Sequence, residues 1–144
     1  LGYKKIFITV HVATVNLTLN YFDRLFFFFF FFPFFLQTGT IPLVQYLRKS
    51  SLHKSTPIVL VEGTPYPGEW LNGPPYADQT KNHALRQSFD ELVANGVEGL
   101  HYVYGKDLFK SKFINPTVGG VHSSDLGQYM IADYYVDFLP TILQ

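Results

Sequence analysis

The sequence has 144 residues, with eleven basic and eleven acidic side chains that give a formal net charge of zero. This length suits one domain, and the balanced charge provides no basic stripe that would indicate a nucleic acid partner. The chain has no cysteine, which excludes disulfides, thiolate chemistry and cysteine-ligated metals and leaves its compartment open.

An apolar stretch, Leu25–Leu36, dominates the first part of the chain and contains seven consecutive phenylalanines followed by Pro33. Its twelve residues are too few for a membrane-spanning helix, which needs about 20, so we predict no membrane span. Identical bulky rings follow neither the strand period nor the helix period, so no single face can be buried. We therefore expect residues 26–36 to pack poorly.

The codons that encode this stretch suggest another origin for it. Phenylalanine is encoded by TTT or TTC, and Leu36 followed by Gln37 can be encoded by TTG-CAG. A pyrimidine tract that ends in CAG resembles the acceptor end of a eukaryotic intron. We interpret residues 1–37 as a translated intron outside any domain, and residues 38–144 as part of a domain. The alternative is a genuine low-complexity tract that is disordered or prone to aggregate.

From Thr38 onward, the sequence alternates between helical and strand patterns. Thr40 and Pro42 predict the cap and the first turn of a helix. The continuous apolar run over residues 57–61 predicts a strand that is buried on both faces, as in a parallel sheet. A loop rich in proline and glycine follows over residues 62–78.

A second helix is predicted after this loop. Asp78 or Thr80 could cap its start, and Gly96 should stop it because glycine adopts the left-handed C′ conformation without penalty. Its core-facing positions follow the helix period and are apolar: Leu85, Phe89, Leu92 and Val93.

The last part of the chain predicts a strand over residues 100–104, a loop over 105–122 and a helix over 124–139 that Pro140 ends. One face of that helix should pack as core: Ile131, Tyr134, Tyr135 and Phe138. Helices that alternate with strands predict a layered α/β fold with a parallel sheet. Because two strands cannot form such a sheet alone, we predict an incomplete domain whose remaining strands lie upstream.

The segment Asn115–Gly127 places His122 in a glycine-rich turn shortly before the last helix. It resembles the last sequence block of the SGNH hydrolases, the GDSL-type lipases and esterases, in which Asp-x-x-His is followed by polar residues and Leu-Gly. Thr56–Glu62 resembles the penultimate strand of that family, and Asn82–Leu92 resembles its long helix. The resemblance covers residues 38–144, the C-terminal half of such a domain.

This resemblance implies a three-layer αβα fold with a flavodoxin-like parallel sheet, and a serine ester hydrolase without a cofactor or metal. The substrate would be a small-molecule acyl ester or an acetylated carbohydrate. His122 matches the general base that accepts a proton from a Ser nucleophile. The family's Asp falls at Gly119, and no serine here has the Gly-Asp-Ser context. We therefore predict that the chain as written is inactive.

Two other interpretations stay open: a catalytically inactive fragment, and a degenerate hydrolase fold that acts only as a binding module. In an active protein, a backbone carbonyl could replace the Asp and leave a Ser–His dyad. Asp125 is either a displaced acid partner or a first-turn residue that the helix dipole favours. Ser123 and Ser124 fit helix caps better than nucleophiles. We expect His122 in the loop before the last helix, facing solvent or a cleft near the carboxyl ends of the strands.

The remaining candidates are aromatic and histidine side chains. Trp70 and Tyr66 either line a substrate cleft or pack within their own loop. His53 and His83 are predicted at the surface, and His101 alternates within a strand. No histidine pair has metal-ligand spacing together with a carboxylate, so we predict no metal site.

Overall fold

The structure, a computed structural model, describes these parts of the chain: residues 8–11, 33–64, 77–109, 116–120 and 122–143. Three parallel strands form one sheet in the order β1-β2-β3: β1 (Ile8–His11), β2 (Ile58–Val61) and β3 (Leu100–Val103). Ile58 lies opposite both Ile8 and Leu100, which fixes the register. Within these residues, no helix combines the length and apolar character needed to cross a membrane.

Helices and a short hairpin connect and cover the strands. The helix α1 (Pro33–Lys49) lies between β1 and β2, and α2 (Ala77–Ala94) lies between β2 and β3. The elements after β3 are, in order, α3 (Gly105–Leu108), the antiparallel strands β4 (Thr117–Val118) and β5 (His122–Ser123), and α4 (Asp125–Ile142).

The sheet separates two apolar cores. On one face, β2 packs against α1 and α2 through fully buried side chains: Val44, Ile58, Leu60, Leu85 and Leu92. On the other face, β2, β3 and α3 pack against partly buried side chains of α4: Ile131, Tyr134, Tyr135, Phe138 and Ile142. Helices therefore cover both faces of a parallel sheet, which confirms the αβα fold class predicted from the sequence.

The local sequence explains why β2 and α2 have these bounds. All four residues of β2 are 0% exposed, as the continuous apolar run predicted. At the end of α2, Gly96 has a φ of 74° and its amide donates to the carbonyl of Val93, while the amide of Val97 donates to Leu92. This hydrogen-bond pair is a Schellman motif, so the predicted stop at Gly96 is confirmed.

Two prolines that were predicted to bound helices lie inside them instead. Pro42 occupies the interior of α1, where a proline typically costs about 3 kcal/mol. Thr40 and Val44, two residues before and two residues after it, are both buried. The packing of these side chains therefore stabilises the helix across the proline. In the same way α4 continues beyond Pro140 to Ile142, whose side chain reaches the core. Each proline removes one amide donor, and the packing around it outweighs that loss.

Other predicted boundaries also differ from the structure. The helix α2 begins at Ala77, before both candidate caps. Val93 is 50% exposed rather than buried, because eight residues of helix rotate it about 80° away from Leu85. Tyr104 follows β3 instead of ending it. The predicted loop over residues 105–122 contains α3 and the β4–β5 hairpin, which are too short to give a periodic apolar pattern.

The strand β1 lies within residues 1–37, the segment that we interpreted as a translated intron. It pairs with β2 along its whole length, so the described sheet includes a strand upstream of residue 38. The domain boundary at this residue stays a prediction. The packing expected of residues 26–36 lies outside what the structure describes.

Candidate functional site

His122 lies on β5, opposite Val118 of β4 and just before α4. Gly119 and Gly120 occupy the turn with φ angles of 62° and 74°, in the left-handed region that favours glycine. The His122 side chain is exposed. The residue therefore faces solvent before the last helix as expected, but it belongs to a two-residue strand rather than to a loop, because the glycine turn brings its strand back along β4.

The hairpin is fixed to the start of α4 by one serine and one glycine. Both the amide and the hydroxyl of Ser124 donate to the carbonyl oxygen of Pro116, at 2.8 Å and 2.9 Å. The same hydroxyl accepts a hydrogen bond from the amide of Gly127 at 3.2 Å and so caps the helix. A Cβ added at Gly127 would overlap the Pro116 carbonyl. The Leu-Gly pair of the block thus allows the first turn of α4 to approach the base of the hairpin.

No acid partner of His122 is found among the described residues. The position three residues before it is Gly119, and no hydrogen bond joins the His122 ring to the described part of the chain. Asp125 lies in the first turn of α4, where the helix dipole favours a carboxylate. The hydroxyl of Ser124 is used in capping, and the hydroxyl of buried Ser88 donates to a carbonyl within α2.

The other candidates from the sequence lie on parts of the chain other than the β4–β5 hairpin, or outside the described residues. His83 is exposed as predicted, whereas His53 is half-buried, and its carbonyl accepts a hydrogen bond from Arg48. His101 lies on β3 and is half-buried. Among the residues that the structure describes, no group of three or more histidine and acidic side chains could hold a metal ion. Two candidates, in the loop before α2, lie outside the described residues: Tyr66 and Trp70.

Sequence reasoning missed a second cluster, at the carboxyl ends of β2 and β3. The carboxylate of Glu62 accepts hydrogen bonds from the Tyr102 hydroxyl at 2.8 Å and from the Gly105 amide at 3.0 Å. A Cβ added at Gly105 would overlap the carbonyl oxygen of Gly63. The one available signal was a carboxylate placed directly after a fully buried strand.

Side chains of α2 reach the same end of the sheet. The amide group of Asn82 accepts from the Gly63 amide at 2.9 Å and donates to the Gly63 carbonyl at 3.2 Å. One turn further along α2, the Arg86 guanidinium lies 4.9 Å from the ring centroid of Tyr102 and pairs with Asp90. Because residues four apart share a helix face, the N-x-x-x-R spacing directs both side chains to the sheet.

Burial shifts the pKa of three side chains around these clusters. Burial, together with the hydrogen bond to Glu62, raises the pKa of Tyr102, so its hydroxyl is a donor at neutral pH. Burial lowers the pKa of His101. On α4, burial raises the pKa of Tyr135 to about 12, with a smaller contribution from Tyr134.

A parallel sheet with helices on both faces defines the class as an αβα domain. The chain belongs to the GDSL-like lipase/acylhydrolase family, whose model matches residues 36–140. This match confirms the resemblance that the sequence blocks suggested. No curated protein matches the sequence.

Two solved structures are similar to this chain. One is a GDSL-like lipase from Bacteroides ovatus, with a TM-score of 0.64 and 24% sequence identity, aligned over 77% of this chain and 32% of that protein. The other is the salicylyl-acyltransferase SsfX3 from a tetracycline biosynthetic pathway, with a TM-score of 0.60 and 18% identity, aligned over 76% of this chain and 33% of that protein. Both share the fold, and the aligned part spans about a third of either protein's length.

Proposed function

We propose that the protein to which this chain belongs hydrolyses a small-molecule acyl ester or an acetylated carbohydrate, with His122 as the general base. The observation that supports this role is the placement of His122. It lies within the family match, on a hairpin that Ser124 and Gly127 hold against the start of α4. A base must be held in place to accept a proton from a nucleophile, and this hairpin provides that restraint.

The proposed reaction follows the serine hydrolase scheme. The His122 ring accepts the proton of a Ser hydroxyl as its oxygen bonds to the acyl carbon, and the oxyanion that forms is stabilised by hydrogen-bond donors. The imidazolium then gives the proton to the departing alcohol, which leaves an acyl-serine. Water repeats the sequence with His122 again as base, which releases the acid and regenerates the serine.

The acid that usually orients the histidine is the missing element in this scheme. Gly119 occupies its sequence position, and in serine proteases the loss of the acid lowers kcat by about 10⁴-fold. In the proposed active protein, a backbone carbonyl holds the His122 tautomer and leaves a Ser–His dyad. The Ser nucleophile and the oxyanion donors come from sequence outside the blocks found here.

The 144-residue chain itself is accordingly proposed to be inactive. We expect that a fluorophosphonate probe, which labels activated serines, leaves the purified chain unlabelled. Stoichiometric labelling of one serine would show instead that the chain contains its own nucleophile, and mass spectrometry of the labelled peptide would identify it.

The ester hydrolase proposal is tested on the gene. Genomic DNA upstream of the Thr38 codon should contain an exon that encodes a strand followed by Gly-Asp-Ser. The protein made with that exon should react with the probe and hydrolyse p-nitrophenyl acetate, and His122→Ala should abolish both activities. His83→Ala, at an exposed site on α2, is the control and should keep them. Full activity of the His122 variant would contradict the proposed role.

The second candidate function is a binding module built on a degenerate hydrolase fold. It is favoured by Gly119, which stands where the family has its acid. The same experiment separates the two functions, because a binding module would neither hydrolyse the ester nor react with the probe when the upstream exon is restored.

A further inference from the structure

The connections after β2 and β3 leave the sheet towards opposite faces. The chain passes from β2 to α2, which packs on the face of Ile58 and Leu60. From β3 it passes to α3, whose Leu108 packs on the opposite face with Val59 and Val61. Where neighbouring connections diverge in this way, an open α/β sheet has a crevice at the carboxyl ends of its strands.

In this protein, the Glu62 side chain and the backbone of Gly63 and Gly105 occupy this place between the ends of β2 and β3. The Glu62 carboxylate spans it, with Gly105 of α3 bound to one oxygen at 3.0 Å and Tyr102 of β3 bound to the other at 2.8 Å. Behind the carboxylate, Gly63 and Gly105 approach so closely that no side chain fits between them. The end of β2 and the start of α3 are therefore joined as one unit.

Through α3, this unit contacts α4 and so connects to the β4–β5 hairpin that carries His122. Leu108, at the end of α3, is 1% exposed and lies in the same core cluster as Tyr134 and Phe138 of α4. The first turn of α4 is bound in turn to the base of the hairpin through Ser124. A close-packed core transmits displacements because it has little free volume, so a shift of α3 should reach the hairpin.

We propose that Glu62 is a positioning residue that sets where His122 stands relative to the sheet. Its catalytic meaning rests on the proposed function, whereas the mechanical coupling is a property of this chain and can be measured without activity. Positioning matters for catalysis because a displacement of about 1 Å in an active site can cost about 10²-fold in rate. A purely structural role would instead confine the effect of Glu62 to the end of the sheet.

Amide hydrogen exchange of the 144-residue chain distinguishes these roles. In Glu62→Ala, the amides of Ser124 and Gly127 should exchange at least about tenfold faster, because the loss of two hydrogen bonds to a charged group weakens the attachment of α3 to the sheet. Val44→Ala is the matched control. It removes a fully buried side chain from the other core and should lower global stability without accelerating these two amides.

Glu62→Gln tests the hydrogen bonds separately from the charge. Its carbonyl can accept from the Gly105 amide, while its NH₂ group donates to the Tyr102 oxygen and the Tyr102 hydroxyl turns to the Asn82 carbonyl, already 3.4 Å away. We expect exchange of Ser124 and Gly127 within about twofold of the unmodified chain, because neutral hydrogen bonds retain part of the stabilisation.

The proposal is overturned if Glu62→Ala accelerates only amides of α3, or if Glu62→Gln behaves like Glu62→Ala. Should Glu62→Ala fail to fold, Tyr102→Phe removes one of the two hydrogen bonds and should accelerate the amides of Ser124 and Gly127 by a smaller factor. No acceleration in that variant would also overturn it. These outcomes are independent of the ester hydrolase proposal, which fails if the longer product neither hydrolyses the ester nor reacts with the probe, or if its His122 variant stays active.

Discussion

The same two strands, β2 and β3, are joined in opposite ways at their two ends. At the amino ends, one cation from α1 does the joining: the Arg48 guanidinium donates to four backbone carbonyls at 2.8–3.2 Å, two before each strand. Those carbonyls belong to the following residues: His53, Thr56, Glu98 and Gly99. Burial lowers the pKa of Arg48, and the fork of guanidinium donors suits several carbonyls at once.

At the carboxyl ends, a carboxylate and a neutral amide side chain join the chain segments instead. Glu62 accepts from Gly105, and Asn82 pairs with both backbone groups of Gly63. The difference lies in what each end is attached to. Among the described residues, the Arg48 side chain binds the loops that enter the strands. Glu62 instead binds the start of α3, whose Leu108 packs in the same core cluster as α4. Changes at the amino end should therefore lower stability and leave the hairpin unaltered, while changes at the carboxyl end should reach it.

The largest effect is expected from Gly105→Ala. The added methyl group would overlap the Gly63 carbonyl, and because both partners are backbone the strain should cost about 3 kcal/mol of the free energy of unfolding. Urea denaturation measures this loss. In the control Gly39→Ala, no atom lies within 4 Å of the new methyl group, so the helix should gain about 0.5–1 kcal/mol. Equal stability of the two variants would disprove the close approach of the strand ends.

Arg48→Ala should have the next largest effect, a loss of about 2–3 kcal/mol, because four charge-assisted hydrogen bonds to carbonyls disappear. Arg48→Lys should recover less than half of it, since a single ammonium cannot reach both loops. Lys49→Ala, at an exposed position, should stay within about 0.5 kcal/mol of the original. The comparison of the two sheet ends would fail if Arg48→Ala accelerated amide exchange at Ser124 and Gly127.

The sequence predicted those parts of the fold in which neighbours along the chain decide the structure. The apolar run of β2, the core face of α4 and the glycine at the end of α2 are local signals, and each is present as predicted. Arg48 and Glu62 could not be predicted to join the strands, because their partners lie up to 51 and 43 residues away. The two helix-interior prolines were misjudged for the same reason, since distant packing outweighs the local cost.

The candidate site was predicted to a similar extent. The sequence block placed His122 just before a helix that a serine caps, and the structure has this arrangement. The catalytic role of His122 stays a prediction. The hairpin was missed because two residues per strand give no periodicity. The Glu62 cluster was missed because it forms only where the residue after β2 lies beside the residues that follow β3, and the sequence does not show that the two strands are neighbours.

Ser124→Ala should lower the free energy of unfolding by about 1 kcal/mol, the usual contribution of a serine cap. It removes the acceptor of the Gly127 amide and one of two donors to the Pro116 carbonyl. Ser123→Ala is a matched control, because the sequence offered both serines as caps and only Ser124 serves. That control should change stability by less than about 0.5 kcal/mol. A larger loss in Ser123→Ala than in Ser124→Ala would show that the cap had been assigned to the wrong serine.

The smallest effect expected is a pH dependence from His101. Burial on β3 holds its pKa below the ordinary value of 6.5, so the unfolded chain binds a proton more readily than the folded one. The free energy of unfolding should therefore be highest above about pH 6.5 and should fall as the pH drops through the lower folded value. Urea denaturation between pH 7.5 and about pH 5 measures this decline, and His101→Gln should make it shallower. An unchanged slope in His101→Gln would show that the ring of His101 is hydrated in the folded chain. In that case α4 would cover β3 less fully than the core cluster that contains Val103 indicates.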